Sequence, residues 1–583
     1  MPGGGRAAPV APGGPEVTYD LVIRDGLLVD GSGGGAYRAD VGVVGDRIVF
    51  VGARAGKGIR EIDASGHVVS PGFIDGHTHM DAQAFWDPLG ASSCFHGVTT
   101  VVYGNCGFSL APARADEREL VIANLENAED IPRESMEAGI EWQWQTFREY
   151  LDVVDALPKA INYVTQIGHS ALRTWAMSER AFEAPATDDD IQIMAAELRD
   201  ALAAGAFGLT TSTIDNHHLA DGRPVASRLA AWDEIEALVG VVAEFGAGGL
   251  GITVDSKDPD AFADNAGQLF DLAVSTRVPI TFGLRRWHLQ DQLDLLDHAA
   301  AHGGRIFGQC RSEPFSHIIS FKTRLPFDRL PEWREVRQLP LAEQQRQMRD
   351  VAVRDRLVTS AERAYAAGEL SDAASVHPQD QMPEFSELQV MRHAIKRNPT
   401  LTEVAAQRDT SPVGAMIDLA VESDFGQVFG RFTGWTSADL LTAMKHRHTV
   451  MTFSDSGAHV SSILGASIQT RLLADWVRDR QEFTLEEAVR MLTLVPARAW
   501  GIPERGLVRE GMIADLNVFD PATIAPGVPT VELDLPAGAP RIAQKATGIR
   551  ATVVAGAPTF QHGKHTGALP GRLVRRTLGT SAI

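Results

Sequence analysis

Two histidines, His77 and His79, are separated by a single residue and follow shortly after the apolar pair Phe73-Ile74. Alternate side chains of an extended chain point to the same side, so the two imidazoles share one face. Neutral imidazole nitrogens bind zinc and similar ions. An isolated His-x-His pair usually lies on the protein surface and has no ligand role. Here the apolar strand before the pair, Asp81 after it and the later run around Cys106 favour a metal site.

Cys106 and Asp455 also follow apolar runs, 99–103 and 450–453. A thiolate at Cys106 can bind zinc, although a cytosolic cysteine is more often buried and inert. A carboxylate at Asp455 can bind a metal and take the proton of a bound water. The Ser456-Gly457 that follows is equally compatible with an aspartate in a turn or at a helix start. The residues alone leave these alternatives open.

The run PGFIDGHTHMDAQ at 71–83 strongly resembles the first barrel strand of the amidohydrolase superfamily. HGVTTVVYGNCGFS at 96–109 and IGHSALR at 167–173 resemble the second- and third-strand segments of its N-acyl-D-amino-acid deacylase (D-aminoacylase) branch. FSDSGAHVS at 453–461 resembles the last strand, and 492–521 resembles the closing helix and its return into a small β domain. The resemblance spans nearly the whole chain and is weakest from about 230 to 450.

This resemblance implies an α/β fold, a (β/α)₈ TIM barrel, whose active site lies at the mouth formed by the strand ends. It implies metal ligands at His77, His79, Cys106 and Asp455, and it makes Asp455 the catalytic proton acceptor. It also favours the ligand role of Cys106 over the inert one.

Two ligands of the deacylases have no counterpart in this chain. The family carries a histidine at the end of the fifth strand, within His-x-Arg-x-Glu, where Val254 stands here. It carries another after the sixth strand, within Ser-His-x-Lys, where Gly283 stands. We therefore expect one ion per chain, Zn²⁺ or another divalent transition metal. His288 or Asp255 would be the replacement for a missing ligand.

Six further residues are expected to bind substrate or to support the metal ligands: His169, Arg173, His217, His218, Arg285 and Arg286. Arginine can hold a substrate carboxylate through two parallel hydrogen bonds. Arg285 falls where the family carries a substrate-binding lysine, and His169 also has a family counterpart. The pair His217-His218 follows the fourth predicted strand, where a solvated role is the commoner one. His459 is expected to be structural.

The chain has 583 residues, with 54 Lys+Arg against 75 Asp+Glu and a net charge of −21. This acidic balance disfavours nucleic acid and anionic membranes as partners. Three cysteines cannot form a disulfide framework, which fits a reducing, cytoplasmic location, and Cys94 and Cys310 are expected in the core or in loops. No apolar run reaches the ~18 residues of a membrane span. Residues 1–16 indicate a disordered leader rather than a signal peptide.

The elements that would position these residues follow from hydrophobic periodicity. Apolar runs alternate with helical patterns over 71–505, as is typical of a (β/α)₈ barrel. In chain order the eight predicted strands are 72–76, 99–103, 161–167, 206–211, 250–254, 278–282, 305–309 and 450–453. The strand patterns at 17–70 and 506–575 are too small to hold separate cores, so we expect one composite β-sandwich built from both ends, followed by a tail at 576–583. Segment 311–449 is expected to be an insertion that covers the barrel mouth. The clearest helices are predicted at 188–204, 231–245, 341–367 and 484–500, the last with a capping box at Thr484 and Glu487.

These features predict a metal-dependent hydrolase of the C–N amide bond in a small molecule, an N-acyl (D-)amino acid or a related amide, by metal-activated water. One alternative is hydrolysis of a cyclic amide, or a non-hydrolytic C–N or C–C cleavage, on the same barrel. A second is a metal-poor barrel that binds a ligand without catalysis. The pattern leaves the oligomeric state open, a homo-oligomer included.

Overall fold

The computed structural model describes residues 18–246, 248–254, 257–370, 382 and 384–576. The predicted leader, the tail beyond residue 576 and Asp255 lie outside the described residues. Within these ranges no helix is both long enough and apolar enough to cross a membrane.

The centre of the fold is a series of parallel strands, and each overlaps one of the predicted apolar runs. In chain order the first to eighth strands are Phe73–Asp75, Val98–Tyr103, Asn162–Thr165 continued by Ile167–Gly168, Gly208–Ser212, Gly249–Thr253, Ile280–Gly283, Ile306–Cys310 and Thr449–Met451. The first three pair in order in one sheet, and Ile167–Gly168 starts a six-stranded sheet that runs to the eighth strand. A parallel bridge between Thr78 and Ser456 brings the ends of the first and eighth strands together.

Helices connect these strands and bury their apolar faces against them. Their bounds are Arg118–Glu126, Arg133–Gly139, Phe147–Ala156, His169–Met177, Asp188–Ala204, Trp232–Glu244, Pro259–Thr276, Leu289–Ala301, Ser437–Lys445, Ile468–Arg471, a π-helical continuation Leu472–Asp479, Leu485–Leu492 and Leu494–Trp500. The predicted capping box of Thr484 and Glu487 is present. The predicted helix 484–500 is interrupted at Thr493, because Pro496 cannot donate a backbone hydrogen bond and its ring would clash with the carbonyl of Leu492.

Both chain ends contribute to one nine-stranded sheet. Its strands are Tyr19–Leu28, Tyr37–Val44, Arg47–Gly52, Gly58–Asp63 and Val68–Pro71 from the first part of the chain, and Leu516–Phe519, Ile549–Val554, Ala557–Gln561 and Lys564–His565 from the last. The two parts join where Val68–Pro71 pairs antiparallel with Leu516–Phe519. Val68–Pro71 leads directly into the first parallel strand, so this sheet anchors the segment that carries His77 and His79.

The predicted insertion forms a separate apolar cluster of helices and short strands. Its elements are Phe315–Ser320, Pro331–Arg337, Leu341–Arg349, Val351–Ala366, Gln389–Val390, Leu401–Gln407, Pro412–Glu422 and Val428–Thr433. The predicted helix 341–367 is two helices, because the Asp350 side chain accepts from the backbone N–H groups of Ala352 and Val353 and caps the second one. The insertion contacts the chain after Asp455, since Ile318 N–H donates to Ser462 O at 2.7 Å.

Candidate metal centre

His77 and His79 lie at the end of the first parallel strand, where neighbouring strands hold the backbone on both sides. Thr78 N–H donates to Val102 O at 3.0 Å, and His79 N–H donates to Ser456 O at 2.7 Å. Both imidazoles are buried, at 4% and 0% exposure, and their ring centroids are 5.4 Å apart. The extended backbone therefore places the two rings on one face, as the spacing predicts.

Cys106 brings its sulfur to the same place from the chain after the second strand. Its Sγ lies 3.4 Å from His77 Nε2 and accepts a hydrogen bond from Thr253 Oγ1 at 3.2 Å. One ligand atom each of His77, His79 and Cys106 lies within 4.8 Å of the other two. Cys94 and Cys310 are buried elsewhere, in the apolar core.

Asp455 approaches the two histidines from the end of the eighth strand. Its Oδ1 lies 3.4 Å from Nε2 of His77 and 3.4 Å from Nε2 of His79. Asp455 has a φ of 62° and the nearby Phe453 a φ of 79°, conformations that cost non-glycine residues about 1–3 kcal/mol each. The bend is held because Asp455 N–H donates to His77 O at 3.1 Å.

Three separations between these donor atoms match those between two ligands of one metal ion. Ligand atoms about 2.0–2.3 Å from a tetrahedral zinc are about 3.3–3.7 Å from one another. The three distances of 3.4 Å among Asp455, Cys106 and the two histidines fall in this range. Those from Asp455 Oδ1 are longer than ordinary N–H···O hydrogen bonds.

The ionisation of these groups is strongly coupled to burial and to each other. Burial lowers the pKa of His77 to about 4, which keeps its imidazole neutral and able to bind a cation. Burial alone would lower the pKa of His79, but the carboxylates of Glu129 and Asp455 raise it well above its ordinary value. Burial alone would raise the pKa of Asp455, but the imidazoles of His79 and His77 lower it. A proton on His79 would balance negative charge of the Glu129 and Asp455 carboxylates, and a bound divalent cation would do the same.

Gln309, at the end of the seventh strand, orients His77 and was missed by the sequence analysis. His77 Nδ1 lies 2.6 Å from Gln309 Oε1, and Gln309 Nε2 donates to Thr281 Oγ1 at 3.1 Å. The second contact fixes the amide so that its oxygen accepts from Nδ1–H. The lone pair of His77 Nε2 is then directed to the side of Cys106 and Asp455. A polar side chain in an otherwise apolar strand was the available signal.

Val254 and Gly283, which occupy the positions of the two absent family histidines, have no side-chain atom that could bind a metal. Val254 is half-buried beyond the fifth strand. A Cβ on Gly283 would meet the Phe453 ring at 2.4 Å, and this ring packs against His77 at a centroid distance of 4.2 Å. Phe453 thus fills the space that a side chain at position 283 would need. His288 stacks on Phe262 and does not belong to the cluster.

His169 and Arg173 both contact the buried carboxylate of Glu234. His169 Nε2 lies 2.8 Å from Glu234 Oε1, and Arg173 Nη1 donates to Glu234 Oε2 at 2.5 Å. His169 Nδ1 also contacts Thr211 Oγ1 at 2.8 Å. Arg173 Nη2 donates to Ala184 O at 2.7 Å, whereas its Nε has no hydrogen-bond partner among the described residues. That this pair binds substrate or supports the metal ligands stays a prediction.

The other predicted residues divide between the mouth and the surface. His217 is buried, its Nδ1 lies 2.9 Å from Ser212 Oγ, and burial, with the charges of His459 and His79, lowers its pKa. His218 Nε2 lies 3.0 Å from Arg228 Nη1. Arg285 lies over the Phe453 ring at 6.0 Å, so it reaches the mouth, whereas Arg286 is exposed.

Arg311, directly after the seventh strand, is a further residue that the sequence analysis missed. Its side chain is buried, and none of its three guanidinium nitrogens has a hydrogen-bond partner among the described residues. It lies over Phe315 at 4.2 Å and Phe453 at 5.9 Å, and burial lowers its pKa against the opposing charges of Glu313 and Asp455. A buried guanidinium without a partner is suited to an anionic ligand.

A family model described as the amidohydrolase family matches residues 60–560. The chain belongs to the amidohydrolase family. The resemblance of its strand-end motifs to this superfamily is thereby confirmed.

Relatives of this amidohydrolase include D-aminoacylase and related deacylases. D-aminoacylase of Alcaligenes xylosoxydans xylosoxydans is 28% identical over 568 residues, which cover 96% of this chain and 98% of that protein. N-acyl-D-aspartate deacylase of the same organism is 28% identical over 513 residues, covering 87% of this chain and 86% of that protein. A solved structure of D-aminoacylase, a protein with a binuclear metal centre, matches with a TM-score of 0.64 at 26% identity and covers 96% of this chain and 100% of that one. The D-aminoacylase-like branch is therefore confirmed.

The donor set of this amidohydrolase fits a divalent transition-metal ion. Imidazole and thiolate groups suit zinc and its neighbours, and a carboxylate supplies a further anionic ligand. Both ring nitrogens of the buried His79 lack a hydrogen-bond partner among the described residues, which leaves them available for such an ion.

Proposed function

We propose that this amidohydrolase uses one divalent transition-metal ion, zinc by the chemistry of its donors, to hydrolyse the amide bond of an N-acyl amino acid. The observation that carries the proposal is the cluster of His77, His79 and Cys106 ligand atoms within 4.8 Å of one another, with Asp455 Oδ1 at 3.4 Å from Nε2 of both histidines. Similarity to D-aminoacylase along 96% of the chain supports the reaction class and favours a D-amino acid.

The ion would supply Lewis acidity to the scissile carbonyl and would lower the pKa of a water molecule. Asp455 accepts the proton of the attacking water and returns it to the leaving amine. Its lowered pKa keeps the carboxylate ionised at neutral pH and therefore able to accept. Gln309 holds His77 in the tautomer that leaves Nε2 free.

Arg311 supplies the recognition of the amino-acid carboxylate in this proposal. Its guanidinium is buried next to the loop that carries Asp455. Gly465 lies between the two: a Cβ at this glycine would be 2.8 Å from Arg311 Nη2 and 1.9 Å from Ser454 O. A substrate carboxylate would satisfy its unpartnered N–H groups with charge-assisted hydrogen bonds. Arg285, whose guanidinium also lies over the Phe453 ring at 6.0 Å, adds positive charge to the same region.

We further propose that the eight parallel strands close as a (β/α)₈ barrel over residues 71–505, with the segment 311–449 inserted at its mouth. The bridge between Thr78 and Ser456 supports this closure. The parts 17–70 and 506–575 then form the small composite β domain around the shared nine-stranded sheet.

The test combines metal analysis with a substrate screen on the full chain. We expect about one zinc per chain, its loss in His77→Ala and His79→Ala with unchanged circular dichroism, and release of free amino acid from N-acetyl-D-amino acids. Cys94→Ala is the matched control that retains zinc. Unchanged zinc content in both histidine variants would contradict the metal site. A zinc-loaded protein that opens hydantoins but cleaves no N-acyl amino acid would contradict the substrate and favour the cyclic-amide alternative.

A further inference from the structure

Glu129 is a buried carboxylate to which the chemistry above gives no role. Its exposure is 2%, and its Oε1 has no hydrogen-bond partner among the described residues. Its ion-pair neighbours in the described part of the chain are two histidines: Oε2 lies 3.6 Å from His79 Nε2 and 3.9 Å from His459 Nε2. No lysine or arginine of the described residues lies within ion-pair distance to balance its charge.

The turn that carries Glu129 is fastened to the loop that follows Asp455. His459 N–H donates to Glu129 O, and Ser461 Oγ donates to Asp130 Oδ2 at 3.0 Å. Ser462 Oγ reaches the same Asp130 oxygen at 3.3 Å. These contacts hold the turn against the loop of the eighth strand, so the position of Glu129 beside His79 is built into the fold.

Glu129 faces the nitrogen of His79 that points toward the other donors. Asp455 Oδ1 approaches the same Nε2 at 3.4 Å. A group that only orients a metal-binding histidine contacts its other ring nitrogen, as Gln309 does at His77 Nδ1. The 3.6 Å separation exceeds an ordinary hydrogen bond and lies within the ~3.3–3.7 Å expected between two ligands of one zinc ion.

We propose that Glu129 is an additional ligand of the ion held by His77, His79, Cys106 and Asp455, an assignment that rests on the metal site proposed above. A divalent cation compensates the repulsion between the carboxylates of Glu129 and Asp455, which both approach Nε2 of the single imidazole of His79. Glu129 also supplies, from outside the parallel strands, a donor that Val254 and Gly283 do not provide.

The experiment measures zinc affinity by chelator competition in the full chain. Glu129→Gln keeps the shape of the side chain but removes its charge, and we expect at least a tenfold loss of affinity. Substitution of the site with Co²⁺ should give a visible spectrum that differs between the wild type and Glu129→Gln. Glu313→Gln is the matched control: Glu313 is also a buried glutamate near the mouth, but it is hydrogen-bonded to Ser467 and should leave affinity and spectrum unchanged.

Equal zinc affinity and equal cobalt spectra in the wild type and Glu129→Gln would overturn this assignment alone. A wild-type chain that binds no zinc would overturn both this assignment and the proposed function. If Glu129→Gln does not fold, anomalous scattering from a crystal of the zinc-loaded wild type decides. A Glu129 oxygen about 2.0–2.2 Å from the ion supports the proposal, and one beyond about 3 Å overturns it.

Discussion

Replacing Gln309 by leucine tests how the protein orients His77 for metal binding. The 2.6 Å contact from His77 Nδ1 to Gln309 Oε1 is the hydrogen bond that the substitution removes. Leaving a buried donor without an acceptor costs about 1–3 kcal/mol. If the proton moves to Nε2 instead, that nitrogen can no longer bind a cation.

The magnitude follows from two independent estimates. Loss of an outer partner of a metal-binding histidine typically weakens metal affinity about 10–100-fold. At about 1.4 kcal/mol per factor of ten, this corresponds to about 1.4–2.8 kcal/mol, the range obtained from the unsatisfied donor. We therefore expect the zinc Kd of Gln309→Leu to rise about 10–100-fold, with little change in circular dichroism.

Chelator competition measures this Kd, and Gln309→Glu is the matched variant because it keeps an acceptor at the same place. Gln309→Glu should bind zinc at least as tightly as the wild type. A change below about threefold in Gln309→Leu, or an equal loss of zinc affinity in Gln309→Glu, would refute the orienting role.

Three further outcomes test the remaining parts of the site. Asp455→Asn should lower turnover about 10²–10⁴-fold at matched zinc occupancy, because an amide cannot accept the proton of water; a rate within a few-fold of wild type would assign the base elsewhere. Cys106→Ala should weaken zinc binding while Cys94→Ala does not, as measured by chelator competition, and equal effects would mean that the Cys106 thiol is only packed. Arg311→Leu should raise KM about 10–100-fold for an N-acyl amino acid but not for its neutral carboxamide, since a hydrogen bond to a charged group contributes about 1.5–3 kcal/mol; equal changes for both substrates would contradict carboxylate recognition.

The sequence by itself determined the features that depend on neighbours in the chain. The two-residue period of an extended strand placed His77 and His79 on one face before any contact was known. Apolar runs located the parallel strands, and strand-end motifs identified the family. Local rules also located the capping box at Thr484, because a cap depends on residues three positions apart.

Only the tertiary structure decided which polar side chains are buried together. Glu129 meets His79 and Gln309 meets His77 across 50 and 232 residues of sequence, respectively, and no local pattern predicts either contact. The same holds for Arg173, which Glu234 engages, and for Gly283, whose missing side chain leaves room for the Phe453 ring. A buried charge is stable only with a suitable partner, and that partner is chosen by the packing of distant segments rather than by the residues beside it.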